Sequence, residues 1–111
     1  MGSETNAQKC SLSINDCIDF DFYKALFDPV RSEIVVYLAS HGEKNIKEIA
    51  ENFSQHRSVI SRHLDLLYRY GILDKTTVDR NTYYESNNSL IFDNFEKTVQ
   101  GLKELLAVKN K

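Results

Sequence analysis

The chain has 111 residues, of which 41% are hydrophobic and 27% charged, and its formal net charge is −2. This size and composition predict one soluble globular domain. They exclude a membrane protein, because no apolar run reaches the roughly 18 residues that a spanning helix needs. No secretory signal pattern opens the chain, and two cysteines are too few for a disulfide framework, so we expect a cytoplasmic protein.

Positive charge is concentrated in one segment of the chain. Residues 55–84 hold five Lys or Arg against three Asp, whereas residues 1–54 hold five against nine Asp or Glu. The local excess is small. Its position still matters, because the distribution of charge says more about nucleic-acid contact than the net charge does.

The N-terminal part divides into a tail and the start of the fold. Residues 1–13 are polar and without periodicity, which predicts a flexible tail, and residues 14–111 then form the domain. Apolar residues recur every four positions and predict a first helix with one buried stripe: Ile14, Ile18, Phe22 and Leu26.

A second helix is predicted from Asp28-Pro29 to about Ser40. Asp28 can cap its N-terminus, and Pro29 suits its first turn. Gly42 is expected to end it in a left-handed conformation.

The next two helices carry the most informative residues. Asn45 and Glu48 have the spacing of a capping box, which predicts a short helix. A turn without Gly or Pro follows, and then a helix over about 57–70 that ends at Gly71. The outer face of this longer helix carries short donors and arginines: Arg57, Ser58, Ser61 and Arg62.

Residues 72–86 predict a β-hairpin, because two runs of β-forming residues flank a polar tip, Asp79-Arg80-Asn81. We expect Asn81 to adopt the positive φ that a tight turn needs.

A last helix is predicted over about 89–107, with Asn88 or Ser89 as its cap. Its apolar residues alternate at spacings of three and four, as in a helix–helix seam: Phe92, Phe95, Val99, Leu102 and Leu106.

This order of elements predicts a mainly α winged helix-turn-helix domain with about five helices and a small β-hairpin. The run from Ile49 to Leu64, followed by Tyr70-Gly71-Ile72-Leu73 and Tyr83-Tyr84, resembles the ArsR/SmtB family of bacterial and archaeal repressors. The opening Ala25–Arg31 is also similar to that family, and the resemblance covers about residues 22–106. It implies a homodimeric repressor that pairs through its first and last helices and binds a palindromic operator in double-stranded DNA.

The resemblance and the chemistry of the outer helix face together predict the DNA contacts. Short donors and Arg near the start of a helix suit base edges and phosphates in a major groove. His63 has two interpretations: it contacts a phosphate, or it packs beside the preceding helix. The predicted contacts are His56, Arg57, Ser58, Ser61, Arg62, His63, Lys75, Arg80, Asn81 and Tyr83, and the predicted dimer residues are Ile18, Phe22, Phe92, Phe95, Val99, Leu102 and Leu106.

The inducer is predicted only by elimination. Residues 46–64 contain no Cys and no His follows His63, so the family's usual metal sites at the DNA-binding helices and at the last helix are not expected. Cys10 and Cys17 remain as candidates for a thiophilic metal or metalloid ion, or for an oxidant. On one helix their Cα atoms would lie about 10 Å apart, beyond the roughly 7 Å limit of a disulfide, so a disulfide needs Cys10 in a flexible tail or a partner cysteine in the other chain. The alternative is that Cys17 only packs at the dimer contact.

Two other classes of function were weighed. An enzyme is not expected, because the sequence has no phosphate-binding loop and no nucleophile motif. A winged-helix module that contacts only proteins, without binding a specific operator, remains the alternative, and salt-dependent binding to an upstream palindrome distinguishes the two.

Overall fold

The computed structural model describes residues 18–110, with side chains described as far as residue 107. The predicted tail, Ile14, Cys10 and Cys17 lie outside these residues. The elements in chain order are α1 (Phe20–Leu26), α2 (Pro29–His41), β1 (Lys44–Asn45), α3 (Ile46–Ala50), α4 (Arg57–Arg69), β2 (Leu73–Val78), β3 (Asn81–Ser86) and α5 (Asn88–Asn110). Across the described residues this order confirms the predicted winged helix-turn-helix fold with five helices.

The first helix begins later than its apolar stripe predicts. The carboxylate of Asp19 accepts a hydrogen bond from the amide of Phe22 at 3.0 Å, so α1 begins at Phe20. Ile18 therefore precedes the helix, although it is buried. Capping by Asp19 sets the boundary, because it satisfies an amide that has no partner within the helix.

The second helix has the predicted ends. Asp28 Oδ2 accepts hydrogen bonds from the amides of Val30 and Arg31 at 3.1 and 3.2 Å. At the other end Gly42 has a φ of +83°, and its amide donates to the carbonyl of Leu38. A positive φ favours glycine there.

The wing is a three-stranded antiparallel sheet in the order β1-β3-β2, rather than the predicted two-stranded hairpin. Strand β1 pairs with β3 at Lys44–Tyr84 and Asn45–Tyr83. The sequence gives no signal for β1, because two residues are too few to show alternation. This strand attaches the wing to the start of α3.

The tip of the wing is a two-residue turn, and the prediction for Asn81 was wrong. Val78 pairs directly with Asn81, so Asn81 is the first residue of β3. The positive φ values belong to Asp79 and Arg80, at +49° and +71°. A type I′ hairpin turn requires positive φ at both central residues.

The last helix also begins at a different cap from the predicted ones. The side chain of Asn87 accepts a hydrogen bond from the amide of Leu90 at 3.1 Å. Asn88 and Ser89 are therefore the first residues of α5 instead of its cap, and the helix extends to Asn110.

All layers of the domain share one core. Its most buried members come from α2, α3, α4 and the first residues after α4. Those with 0% exposure are Ile34, Ile49, Ile60, Leu64, Leu67 and Ile72. The core fixes α4 against the rest of the domain, with its opposite face turned outward.

Candidate DNA-binding surface

The first helix of the helix-turn-helix is fixed by the predicted capping box. Asn45 Oδ1 accepts from the amide of Glu48, and the amide of Asn45 donates to Glu48 Oε1, both at 2.9 Å. Two otherwise unpaired amides are thereby satisfied at the start of a five-residue helix. Because Asn45 also belongs to β1, the cap aligns α3 with the wing.

His56 is the N-cap of α4. Its Nδ1 accepts from the amide of Ser58 at 3.2 Å and lies 3.0 Å from the Ser58 hydroxyl. Because an amide only donates, Nδ1 carries no proton in this arrangement. The exposed imidazole thus begins the DNA-binding helix, and its other ring nitrogen is the one available for the predicted DNA contact.

Helix α4 separates its two faces clearly. Ile60, Leu64 and Leu67 are wholly buried, which anchors the inner face. On the outer face Arg57, Ser58 and Arg62 are exposed and Ser61 is half-buried. The structure therefore brings together the four residues that the sequence predicted as groove contacts, in the first two turns of one helix.

His63 lies on the flank of α4 that packs against α2. Its Nδ1 is 3.2 Å from Nη1 of Arg31. Burial lowers the pKa of His63, and the neighbouring Arg31 lowers it further. This contact is with α2 and not with α3, the helix that directly precedes α4, so both interpretations made from the sequence stay predictions.

The wing residues divide between its base and its tip. Lys75 Nζ lies 5.0 Å from the ring centre of Tyr68 and 5.9 Å from that of Tyr84, a cation–π arrangement that joins the wing to the end of α4. Arg80 and Asn81 are exposed at the tip, whereas Tyr83 is half-buried. The role of Tyr68 was missed, because a tyrosine near the end of a helix shows no pairing partner in the sequence.

Arg31 is a second residue that the predicted set missed. Arg31 lines a shallow cleft together with side chains of α4. Two of those side chains are apolar, Val59 and Leu66, and the titratable ones are Arg62, His63, Asp65 and Arg69. The only signal in the sequence was the Pro-x-Arg spacing, which does not show what the guanidinium contacts.

A second surface follows α5 and carries the predicted seam. Its side chains are 38% to 63% exposed in the single chain: Phe92, Phe95, Val99, Leu102 and Leu106. Phe95 also packs against α1, with its ring centre 5.4 Å from that of Tyr23 and 6.3 Å from that of Phe27. An unbroken apolar stripe of this kind is typical of a protein–protein contact.

Ile18 and Phe22 lie differently from the other predicted dimer residues. They are 7% and 1% exposed, and Phe22 belongs to the core of the protomer. These two side chains therefore have almost no surface to offer a second copy. Phe22 instead packs against Phe95 of α5, with their ring centres 6.3 Å apart.

The described residues were also compared with the requirements of a metal site and of a membrane-spanning helix. Among residues 18–110, no three His, Cys, Asp or Glu side chains cluster so that they could hold a metal ion. None of the helices in this part of the chain is both long and apolar enough to cross a membrane.

Comparison with known proteins agrees with this geometry. Residues 28–75, which run from the cap of α2 to the wing, match the model of the bacterial regulatory protein arsR family. No curated protein sequence matched the chain.

Solved structures extend the similarity beyond those residues. The transcriptional repressor PagR of Bacillus anthracis is 28% identical, with 62% of this chain and 78% of that chain covered and a TM-score of 0.57. An ArsR-like transcriptional regulator from Rhodococcus sp. RHA1 is 20% identical, with 99% and 88% covered and a TM-score of 0.63. The repressor BigR from Xylella fastidiosa is 19% identical, with 75% and 78% covered and a TM-score of 0.56.

The family match includes the helix-turn-helix that carries the exposed arginines, and the solved structures share the winged fold. Residues 28–75 therefore form an arsR-type helix-turn-helix domain, the domain of a family of bacterial regulatory proteins, and the chain shares the fold of ArsR-family transcriptional regulators.

Proposed function

We propose that this protein is a homodimeric repressor that binds a palindromic operator through α4 and the wing. The observation that supports it most is the outer face of α4. Arg57, Ser58, Ser61 and Arg62 stand together in the first two turns, while the opposite face of the helix is wholly buried.

This arrangement suits a major groove for chemical reasons. The N-terminal residues of a recognition helix reach base edges, and arginine can donate two hydrogen bonds to guanine. Serine hydroxyls near the same end donate to bases or phosphates. Arg80 is exposed at the tip of the wing and is assigned to backbone phosphate or the minor groove.

Pairing of two copies is proposed through the apolar stripe of α5. A single domain of this size reads only a few base pairs, whereas a two-fold dimer reads both halves of a palindrome. The stripe has the three-and-four spacing of a helix–helix seam and is exposed in the single chain. Both features support its use as the dimer contact.

Release of DNA by an inducer is part of the same proposal. Cys10 and Cys17 are the candidates, and both lie outside the described residues. Arsenite, other thiophilic ions and oxidants are the reagents to compare. If the double variant Cys10→Ser/Cys17→Ser still releases DNA with all of them, these cysteines are not the sensor.

The DNA-binding proposal is tested by measuring affinity at several salt concentrations for a palindromic duplex selected by the protein from a random pool. Phosphate contacts make the affinity fall with salt. Arg62→Ala should abolish preference for the selected sequence while the helical circular dichroism stays unchanged.

Arg69→Ala is the matched control. Arg69 is exposed in the last turn of α4, two turns beyond Arg62 on the same side of the helix. It should retain the preference for the selected sequence, because bases are read from the start of the helix. Equal affinity of Arg62→Ala and the wild type would refute the groove contact, and failure to select any sequence would favour the protein-contact module.

A further inference from the structure

Arg31 forms three side-chain hydrogen bonds at the corner between α1 and α2. Its Nε donates to the carbonyl of Ala25 at 2.7 Å, and Nη2 donates to the carbonyl of Lys24 at 3.3 Å. Its Nη1 lies 3.2 Å from Nδ1 of His63. The last carbonyls of a helix lack partners within the helix. The guanidinium of Arg31 therefore satisfies two carbonyls at the end of α1 and also contacts α4.

The donor chemistry fixes the protonation state of His63 in this arrangement. A guanidinium has five donors and no acceptor, so Nδ1 of His63 must accept. The imidazole is therefore neutral, with its proton on Nε2. Protonation would place an N–H of His63 against an N–H of Arg31 and bring two positive charges to the same contact.

The surroundings of His63 favour its neutral form. Burial lowers its pKa from the ordinary 6.5, Arg31 and Arg62 lower it as well, and Asp28 at the start of α2 acts in the opposite direction. The charged groups that face the imidazole are Arg31 and Asp28 from α2 and its cap, and Arg62, Asp65 and Arg69 from its own helix.

We propose that Arg31 is a positioning residue for the DNA-binding helix, holding α4 against the corner of α1 and α2 through a hydrogen bond that exists only while His63 is neutral. This inference rests on the proposed DNA-binding function. It adds a pH dependence to that function: operator affinity falls on acidification, although acid conditions make the protein more positive.

The direction of the effect follows from the lowered pKa. The unfolded chain binds a proton at His63 at a higher pH than the folded chain does, so the stabilising contribution is complete above pH 6.5 and is lost as the pH falls below it. A hydrogen bond from a charged donor is worth about tenfold or more in an equilibrium. We expect operator affinity to fall by up to about that factor between pH 7.5 and pH 5.5, and by less the further the pKa of His63 lies below 6.5.

The experiment uses a variant in which His63 is the one remaining histidine. The chain has three histidines, and His41→Asn/His56→Asn removes the other two. Asparagine at position 56 can still cap α4, and His41 is exposed. This parent variant is titrated with a selected palindromic duplex at both pH values and constant ionic strength.

Two further substitutions in that background separate positioning from simple stability. His63→Asn places a carbonyl oxygen near the former Nδ1, where it can accept from Arg31 without titrating. It should bind within about twofold of the parent variant at pH 7.5 and lose the pH dependence. His63→Leu keeps the bulk without an acceptor, and it should bind about tenfold more weakly at both pH values with unchanged helix content.

The results that would overturn the proposal are distinct. Affinity that rises on acidification of the parent variant would mean that the His63 cation contacts phosphate. Affinity that stays level while NMR shows that His63 becomes protonated would mean that the bond to Arg31 does not position α4. The same fall in His63→Asn would assign the pH dependence elsewhere. Nitrogen-15 NMR of the wild type should show Nδ1 unprotonated at pH 7.5, and a protonated Nδ1 would refute the bond even if no duplex were bound.

If no duplex binds at either pH, the proposed function fails and the positioning role fails with it. The NMR result then decides separately whether Arg31 and His63 are bonded.

Discussion

The apolar stripe of α5 yields the sharpest prediction about assembly, at its central residue. Val99 is 52% exposed in the single chain, and complete burial of a valine is worth about 1.5–3 kcal/mol. Covering the exposed half therefore contributes about 1 kcal/mol per copy. Val99 occurs twice in a two-fold dimer, so losing its burial costs about 2 kcal/mol in all. That cost corresponds to a roughly thirtyfold rise in the dissociation constant of the dimer.

Val99→Glu should exceed that figure, because it also places two like charges near the two-fold axis and removes them from water. Glutamate forms helices at least as well as valine does, so α5 itself should persist. Sedimentation equilibrium at several protein concentrations measures the dimer dissociation constant, and circular dichroism checks the helix content.

Val36 offers a matched control for that substitution. It is 63% exposed on α2, away from the stripe. Val36→Glu introduces the same charge at a comparably exposed valine and should leave the dimer unchanged. The stripe is not the dimer contact if the dissociation constant of the Val99→Glu dimer stays within about threefold of the wild-type value. The same follows if Val36→Glu raises the dissociation constant as much as Val99→Glu does.

Three substitutions test the framework of the DNA-binding unit, each by urea unfolding. Asn45→Ala removes the Oδ1 that accepts from the amide of Glu48, while the backbone amide of residue 45 can still donate to the Glu48 side chain, and it should lower the free energy of unfolding by about 1 kcal/mol; no change would mean that the cap does not hold α3. Gly71→Ala should cost about 1–2 kcal/mol, because φ is +77° and a Cβ would lie 2.8 Å from a methyl of Leu90. Leu64→Ala should cost about 2–5 kcal/mol, since Leu64 is wholly buried, and a smaller loss would contradict its place in the core.

The sequence was sufficient for features that depend on local pattern. The outer face of α4 follows from helical periodicity, and the capping box of Asn45 and Glu48 follows from spacing alone. It was insufficient where contacts join distant parts of the chain. The hydrogen bond between Arg31 and His63 spans 32 residues, and neither residue type indicates the other.

In the wing, too, contacts between separate segments could not be predicted from the sequence, although these segments lie closer together in the chain. A hairpin was evident, but two-residue β1 is defined only by its pairing with β3. Within the predicted tip Asp79-Arg80-Asn81, the positive φ was expected at Asn81, because asparagine tolerates that conformation. The pairing of Val78 with Asn81 instead forces Asp79 and Arg80 into that conformation. The pairing of β2 with β3 therefore determines which residues form the turn, even though an isolated asparagine adopts positive φ more readily than an arginine.

Helix α1 connects the two surfaces of the protein. On one side the hydroxyl of Tyr23 donates to the carbonyl of Asn94 on α5 at 3.2 Å. On the other side the carbonyls of Lys24 and Ala25 accept from Arg31, which also bonds His63 of the DNA-binding helix. A shift of α1 is therefore expected to alter both its contact with α5, which carries the apolar stripe, and its contact with Arg31, which bonds α4.

The wing contacts α4 through Lys75 and Tyr68, and its last residue, Ser86, donates a hydrogen bond to Asn88 at the start of α5. Of the two predicted sensor cysteines, Cys17 directly precedes Ile18, which is itself buried next to the start of α1. Because Cys17 is joined to Ile18 in the sequence, we expect chemistry at that thiol to reach α1, which contacts both surfaces. For this reason we expect Cys17→Ser alone to lose any thiol-dependent release of DNA, and we expect Cys10→Ser to lose it only if the two thiols act together. Release that persists in Cys17→Ser would show that α1 is not where the signal enters.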